Sequence, residues 1–185
     1  VDYTDVTNAL GQTSRHSFAL IGGAKRIWRV QNPTSTTCAE GVHDTQYTES
    51  GDIDYQVDGL LNKTDFSYDA DHRLVERIAG IGPNGETDQR VITQYAWDTI
   101  HKTRLNQVKQ FGANTSQPLS TTTYSYYPDG DARARLLQSV AVTNHGGGAV
   151  GTLTTSYSYT VHPNGLLATV VVDGPLSGTS DGITS

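Results

Sequence analysis

One short pattern, repeated, constrains this chain more than anything else in it. An aromatic pair separated by a single residue occurs four times: Phe66-Ser67-Tyr68, Tyr95-Ala96-Trp97, Tyr124-Ser125-Tyr126 and Tyr157-Ser158-Tyr159. The first members are 29, 29 and 33 residues apart. A polar turn follows each pair, and a strand led by Leu74, Leu105, Leu136 or Leu166 follows each turn. A looser loop rich in Gly, Asn, Ser or Pro then leads to the next pair. Residues i and i+2 of a strand share a face, so each pair sets two rings on one face. Stacked units place rings beside rings, where cross-strand aromatic pairs contribute ~0.2–1 kcal/mol each. The leucines form a second column. A lone unit is a hairpin, marginal in water, so neighbours must supply its stability.

The rest of the sequence agrees with strands. Gly22-Gly23, Ser50-Gly51, Asp58-Gly59, Pro83-Asn84-Gly85, Pro128-Asp129-Gly130 and Pro163-Asn164-Gly165 are turn signals, because Gly and Asn reach positive φ and Pro presets the residue before it. Between them lie short stretches of Thr, Tyr, Val and Ile, which suit a pleated surface. The longest stretch free of Gly and Pro, 86–111, carries apolar residues nearer to every second position than every 3.6, so it too reads as strand. Apolar residues make up 35% of the 185, too few to fill the facing sides of a two-layer sandwich. They suffice for narrow ladders on a curved single sheet wetted on both sides. The expected fold is therefore all-β, with stacked antiparallel hairpins forming one curved sheet.

Composition also excludes functions. No run of ~18 apolar residues is present, so no helix spans a bilayer and membrane insertion is not expected. The formal charge of −6 offers no basic field for nucleic acid. The single cysteine, Cys38, cannot close an internal disulfide. Lacking an initiator Met, the chain reads as part of a longer protein.

These units resemble the RHS-repeat, or YD-repeat, family of bacterial proteins. That family's repeat runs Tyr-x-Tyr-Asp, a few turn residues, Gly-Arg-Leu and a valine-containing strand. The nearest copy here is Phe66-Ser67-Tyr68-Asp69-Ala70-Asp71-His72-Arg73-Leu74, with His72 where Gly is usual. The stretches 6–13, 47–51, 96–105 and 121–130 are similar to further forms of the repeat. On this reading residues 1–185 are one repeat region, with units starting near 47, 66, 95, 124 and 157. The resemblance implies an arc of a β-shell that encloses a C-terminal toxin, secreted or carried at the bacterial surface and delivered by secretion machinery. It implies flanking repeats as partners, no enzyme activity and no cofactor. The family's Asp-Pro-x-Gly self-cleaving stretch is missing; Asp173-Gly174-Pro175 has those letters in another order. The rungs of the arc would be Phe66, Tyr68, Tyr95, Trp97, Tyr124, Tyr126, Tyr157 and Tyr159, with Leu74, Leu105, Leu136 and Leu166.

Candidate chemical sites read as structural. His72 and His101 each follow the second aromatic of their unit by four residues and read as solvated turn residues; two imidazoles without a placed third ligand do not define a metal site. Ser, His and Asp are plentiful, but no Gly-x-Ser-x-Gly elbow exists. The Asp69/Asp71 and Asp129/Asp131 pairs lie in turns, where Asp bonds its own backbone. Gly146-Gly147-Gly148 lacks the Lys-Ser/Thr of a phosphate loop. The ring ladder leaves an alternative open, an extracellular carbohydrate- or protein-binding adhesion module. An arc also exposes two strand edges, so edge-to-edge self-association is a further expectation.

Overall fold

A computed structural model describes residues 2–32, 42–113, 116–146, 151–175 and 183–184. Cys38, Gly147 and Gly148 lie outside them. Every regular element among the described residues is a strand: β1 (Asp2–Thr7), β2 (Thr13–Ile21), β3 (Ala24–Gln31), β4 (Val42–Tyr47), β5 (Ile53–Val57), β6 (Lys63–Tyr68), β7 (Leu74–Ile81), β8 (Val91–Trp97), β9 (Leu105–Phe111), β10 (Ser120–Tyr126), β11 (Leu137–Asn144), β12 (Gly151–Val161), β13 (Leu167–Asp173) and β14 (Ile183–Thr184). The stretch 86–111 carries β8 and β9 and no helix, as its period-two spacing predicts.

The chain divides into two compact units, residues 1–93 with 112–114, and residues 94–111 with 115–185. In the first, β1 to β7 pair antiparallel, each with the next in sequence. In the second, β9 to β14 do the same. Such a meander needs only local hairpin connections.

One five-residue turn recurs six times, over 8–12, 48–52, 58–62, 69–73, 82–86 and 162–166. In each, the first residue's N–H donates to the fifth residue's carbonyl, and the fourth residue's N–H donates to the first residue's carbonyl. The fourth residue sits at positive φ. It is Gly at 11, 51, 85 and 165, but Leu61 (φ 67) and His72 (φ 59) in the other two. Where the first residue is Asn8, Asp58 or Asp69, its Oδ1 also accepts the N–H groups of the third and fifth residues. This is the self-bonding role expected of Asp69 from sequence.

The strands of the second unit present two unlike faces. Aligned across β9–β13 are Lys109, Thr121, Thr143 and Thr152; Gln107, Thr123, Ala141 and Thr154; and Ser125, Ser139, Ser156 and Asp173. These rows make a hydroxyl face. The opposite face carries Tyr124 against Val140, Val142 against Leu153, Tyr157 against Val172 and Tyr159 against Val170, the aromatic–β-branched pairing that stabilises sheets. Neither face makes a closed core. Tyr127, 7% exposed, is the one buried large hydrophobic side chain among the described residues. The low apolar content thus goes into ladders, as the composition requires.

Candidate functional site: the latches between hairpins

The candidate site is the row of contacts by which one hairpin holds the next. Tyr47, Tyr68 and Tyr126 each end a strand immediately before a turn. Each reaches back to the backbone of the adjacent strand, which belongs to the preceding hairpin. Tyr47 Oη donates to the Ile27 carbonyl at 2.8 Å, and Tyr126 Oη donates to the Leu105 carbonyl at 3.0 Å. The Tyr68 phenol hydrogen-bonds the backbone of Ile53. Ile53 and Leu105 open the strands that leave the preceding turns. Burial pushes the Tyr68 and Tyr126 phenols above their ordinary range, which keeps them protonated donors at any physiological pH.

An arginine completes two of these latches. Arg26 lies 5.5 Å from the Tyr47 ring centroid, and Arg104 lies 5.1 Å from that of Tyr126. In both cases the arginine precedes the residue whose carbonyl accepts the phenol. Arg26 Nε and Arg104 Nη2 are buried without a hydrogen-bond partner. A guanidinium tolerates this because it is weakly hydrated and the ring face supplies its electrostatic partner.

The junction at Tyr127 differs. Tyr127 donates its hydroxyl to the Tyr157 carbonyl at 2.9 Å. Arg133 covers its ring at 4.1 Å, and Tyr159 meets it edge-on at 5.9 Å between centroids. Arg133 is itself held by a two-pronged bond to Asp131, which lowers that carboxyl to about 2. The other turn carboxylates follow the same logic. Arg73 holds Asp69 below its usual range, and the N–H groups of His101 and Ile100 do so for Asp98.

The hydrogen-bond frame of the turns locates the rungs expected from sequence. Phe66, Tyr95 and Tyr124 stand three residues before the turns that begin at Asp69, Asp98 and Tyr127, and Tyr68, Trp97 and Tyr126 stand one before. Leu74 and Leu105 open the strands after the first two of these turns. In the last unit the turn begins at His162, so Tyr159 and Val161 hold the places of Phe66 and Tyr68, and Tyr157 lies two residues earlier. Leu136 and Leu166 close their turns by accepting from Tyr127 N–H and His162 N–H, and Leu137 and Leu167 open the strands. Tyr47 takes the place of Tyr68 one hairpin earlier. Sequence spacing did not reach the phenol bonds, the stacked arginines or Tyr127. A Tyr directly before a turn, with Arg directly before the strand of the preceding hairpin, is the signal that would have found the latch at Tyr126.

His72 Nδ1 lies 2.6 Å from Asp52 Oδ2, and His101 Nε2 lies 2.8 Å from Asp129 Oδ2. Each contact joins two different turns. No group of three or more His, Cys, Asp or Glu able to hold a metal occurs among the described residues. No helix there is long and apolar enough to cross a membrane.

No family model and no curated protein matches this chain. Solved structures do. The Tc holotoxin pore of Photorhabdus luminescens aligns over 97% of this chain and 9% of its own, at 17% identity and a TM-score of 0.63. A porin-like protein from Bacteroides uniformis aligns over 98% of this chain and 91% of its own, at 10% identity and a TM-score of 0.40. The TcdB2-TccC3 crystal structure aligns over 96% of this chain and 12% of its own, at 14% identity and a TM-score of 0.29. The last two likenesses are too loose to carry weight. The chain spans less than a tenth of the holotoxin chain it matches. That match and the latched antiparallel hairpins agree on one architecture: the chain has an RHS/YD-repeat-like fold.

Proposed function

We propose that this chain is a non-catalytic wall segment of an RHS/YD-repeat shell that encloses a toxin for delivery. The observation that carries the reading is the TM-score of 0.63 over 97% of the chain against a small stretch of a toxin-complex protein. The latches support it, because they join hairpin to hairpin, as a wall built by repetition requires. Residues 1–185 form one repeat region, with units starting near 47, 66, 95, 124 and 157. The rings at 66, 68, 95, 97, 124, 126, 157 and 159 are its rungs. Flanking repeats continue the wall on both sides, and its cargo is a toxin carried by the same parent protein. The shell acts outside the producing cell, by way of secretion machinery.

The test is to express the parent protein with its downstream region and digest it with a broad protease. Enclosure predicts that the downstream segment survives while the shell is intact and is cut once Tyr68→Ala and Tyr126→Ala loosen the wall. Cutting at the same rate in both proteins would reject it. A carbohydrate-binding module is the second reading. It draws on a groove of about 570 Å³ on the hydroxyl face, lined by Ser125, Gln138, Ser139, Ser156, Tyr157 and Asp173 among others. Glycan-array binding lost on Asp173→Ala would favour it.

A further inference from the structure

Two histidines each join one turn to another. His72 occupies the fourth place of its turn at φ 59, a left-handed conformation that four of the six like turns give to Gly. A side chain held there is strained, so its contacts must compensate. The imidazole reaches the preceding turn, where Asp52 Oδ2 lies 2.6 Å from Nδ1. Asp52 is steadied by the Ser50 hydroxyl at 2.9 Å. In the other unit His101, also at the fourth place of its turn, reaches forward to Asp129 at 2.8 Å.

We propose that the His72–Asp52 contact is a pH-dependent clasp between successive hairpin turns, closed when the imidazole is protonated and loosened when it is not. The charges around it favour this. His72 faces Asp52 across the gap and Asp69 and Asp71 in its own turn. Arg26 also bears on Asp52, and Arg73 pairs with Asp69 and Asp71.

The sign follows from linkage. Asp52, first among the causes, raises the His72 pKa above 6.5, and the same bond lowers Asp52 below 3.8. The imidazole's share of the stability is full below 6.5 and is lost as pH rises through the raised folded value. The carboxylate's share is full above 3.8 and is lost as pH falls through its lowered value. The clasp is therefore strongest in mildly acidic solution and weakens toward alkaline pH.

The experiment follows the histidine resonances of the full chain by NMR from pH 4.5 to 9, with amide exchange in both turns corrected for intrinsic chemistry. In the wild type, protection over 48–52 and 69–73 should fall about threefold between pH 6 and 8.5. Asp52→Asn should move the His72 titration down toward 6.5 and flatten that change. His72→Gly keeps the turn conformation without strain and should make protection over 48–52 independent of pH. An unchanged His72 titration in Asp52→Asn, or turn protection in the wild type that ignores pH, would overturn the clasp.

Discussion

Replacing Tyr126 with Phe removes one oxygen and leaves the ring under Arg104. The Tyr126 hydroxyl donates to the Leu105 carbonyl at 3.0 Å, and both residues are half-buried. A net intramolecular hydrogen bond contributes ~0.5–1.5 kcal/mol, and the upper half applies where the acceptor left behind is poorly hydrated. The expected loss is therefore about 1 kcal/mol. For a chain of this size the urea dependence is ~2 kcal/mol per molar, so the midpoint should drop by roughly 0.5 M with the slope unchanged. Tyr3→Phe serves as control, since Tyr3 is 51% exposed and should move the midpoint by nothing measurable. Arg104→Ala removes the stacked cation, and a double-mutant cycle with Tyr126→Ala isolates the ring–guanidinium coupling, expected at ~0.5–1 kcal/mol. Equal midpoints for Tyr126→Phe and the wild type would mean that the latch is geometry without energy. An altered slope would mean that the variant changes the unfolded ensemble instead.

Other consequences can be checked by the same unfolding assay. Leu61→Gly should stabilise the chain by about 0.5–1 kcal/mol, because relief of the left-handed strain at φ 67 outweighs the entropy Gly adds to the unfolded state. Gly80→Ala should cost at least ~2 kcal/mol: Gly80 has φ 78 within β7, and a Cβ there would sit 2.8 Å from the Gln89 carbonyl oxygen. Tyr127→Ala should cost about 3 kcal/mol, since it removes the buried ring, its hydroxyl bond and the seat of Arg133. Asp131 should titrate near 2 by carboxyl-carbon NMR and return toward ~3.9 in Arg133→Ala; its contribution, present above 3.9, disappears as pH falls through 2.

Strand positions were legible because period two and turn chemistry are local properties. The alternation Val91, Thr93, Tyr95, Trp97 predicted β8, and Asp69 predicted its own turn. The register of the last unit was less so. An irregularity between Thr160 and Val161 sets Val161 opposite Leu167, and its turn starts at His162. A spacing rule anchored on Tyr157-Ser158-Tyr159 cannot register that two-residue offset. The latches were illegible for a different reason. Their phenols lie fifteen to twenty-one residues from the groups they bond, and those groups are main chain, which leaves no mark on the residue type.

That last property explains how such a sequence can drift while its architecture stays. A latch asks for a phenol at the end of one strand and a carbonyl on the hairpin before it. Every residue has the carbonyl, so Ile27 and Leu105 serve alike. The stacked arginine is optional to the bond and the turn's fourth residue can be Gly, Leu or His at a modest strain cost. Few positions per hairpin are therefore fixed by side-chain chemistry, and the remainder need only alternate and pair. A pattern scored on residue identities sees little in a chain of this kind, and a comparison of backbones sees the whole of it. The 17% identity beside a TM-score of 0.63 is what such a division of labour produces. It also predicts where drift must stop: Tyr47, Tyr68 and Tyr126 should tolerate Phe at the cost of one bond each. A charged residue at any of them should open that junction, because it would place an unpaired charge in the half-buried slot beneath the preceding hairpin.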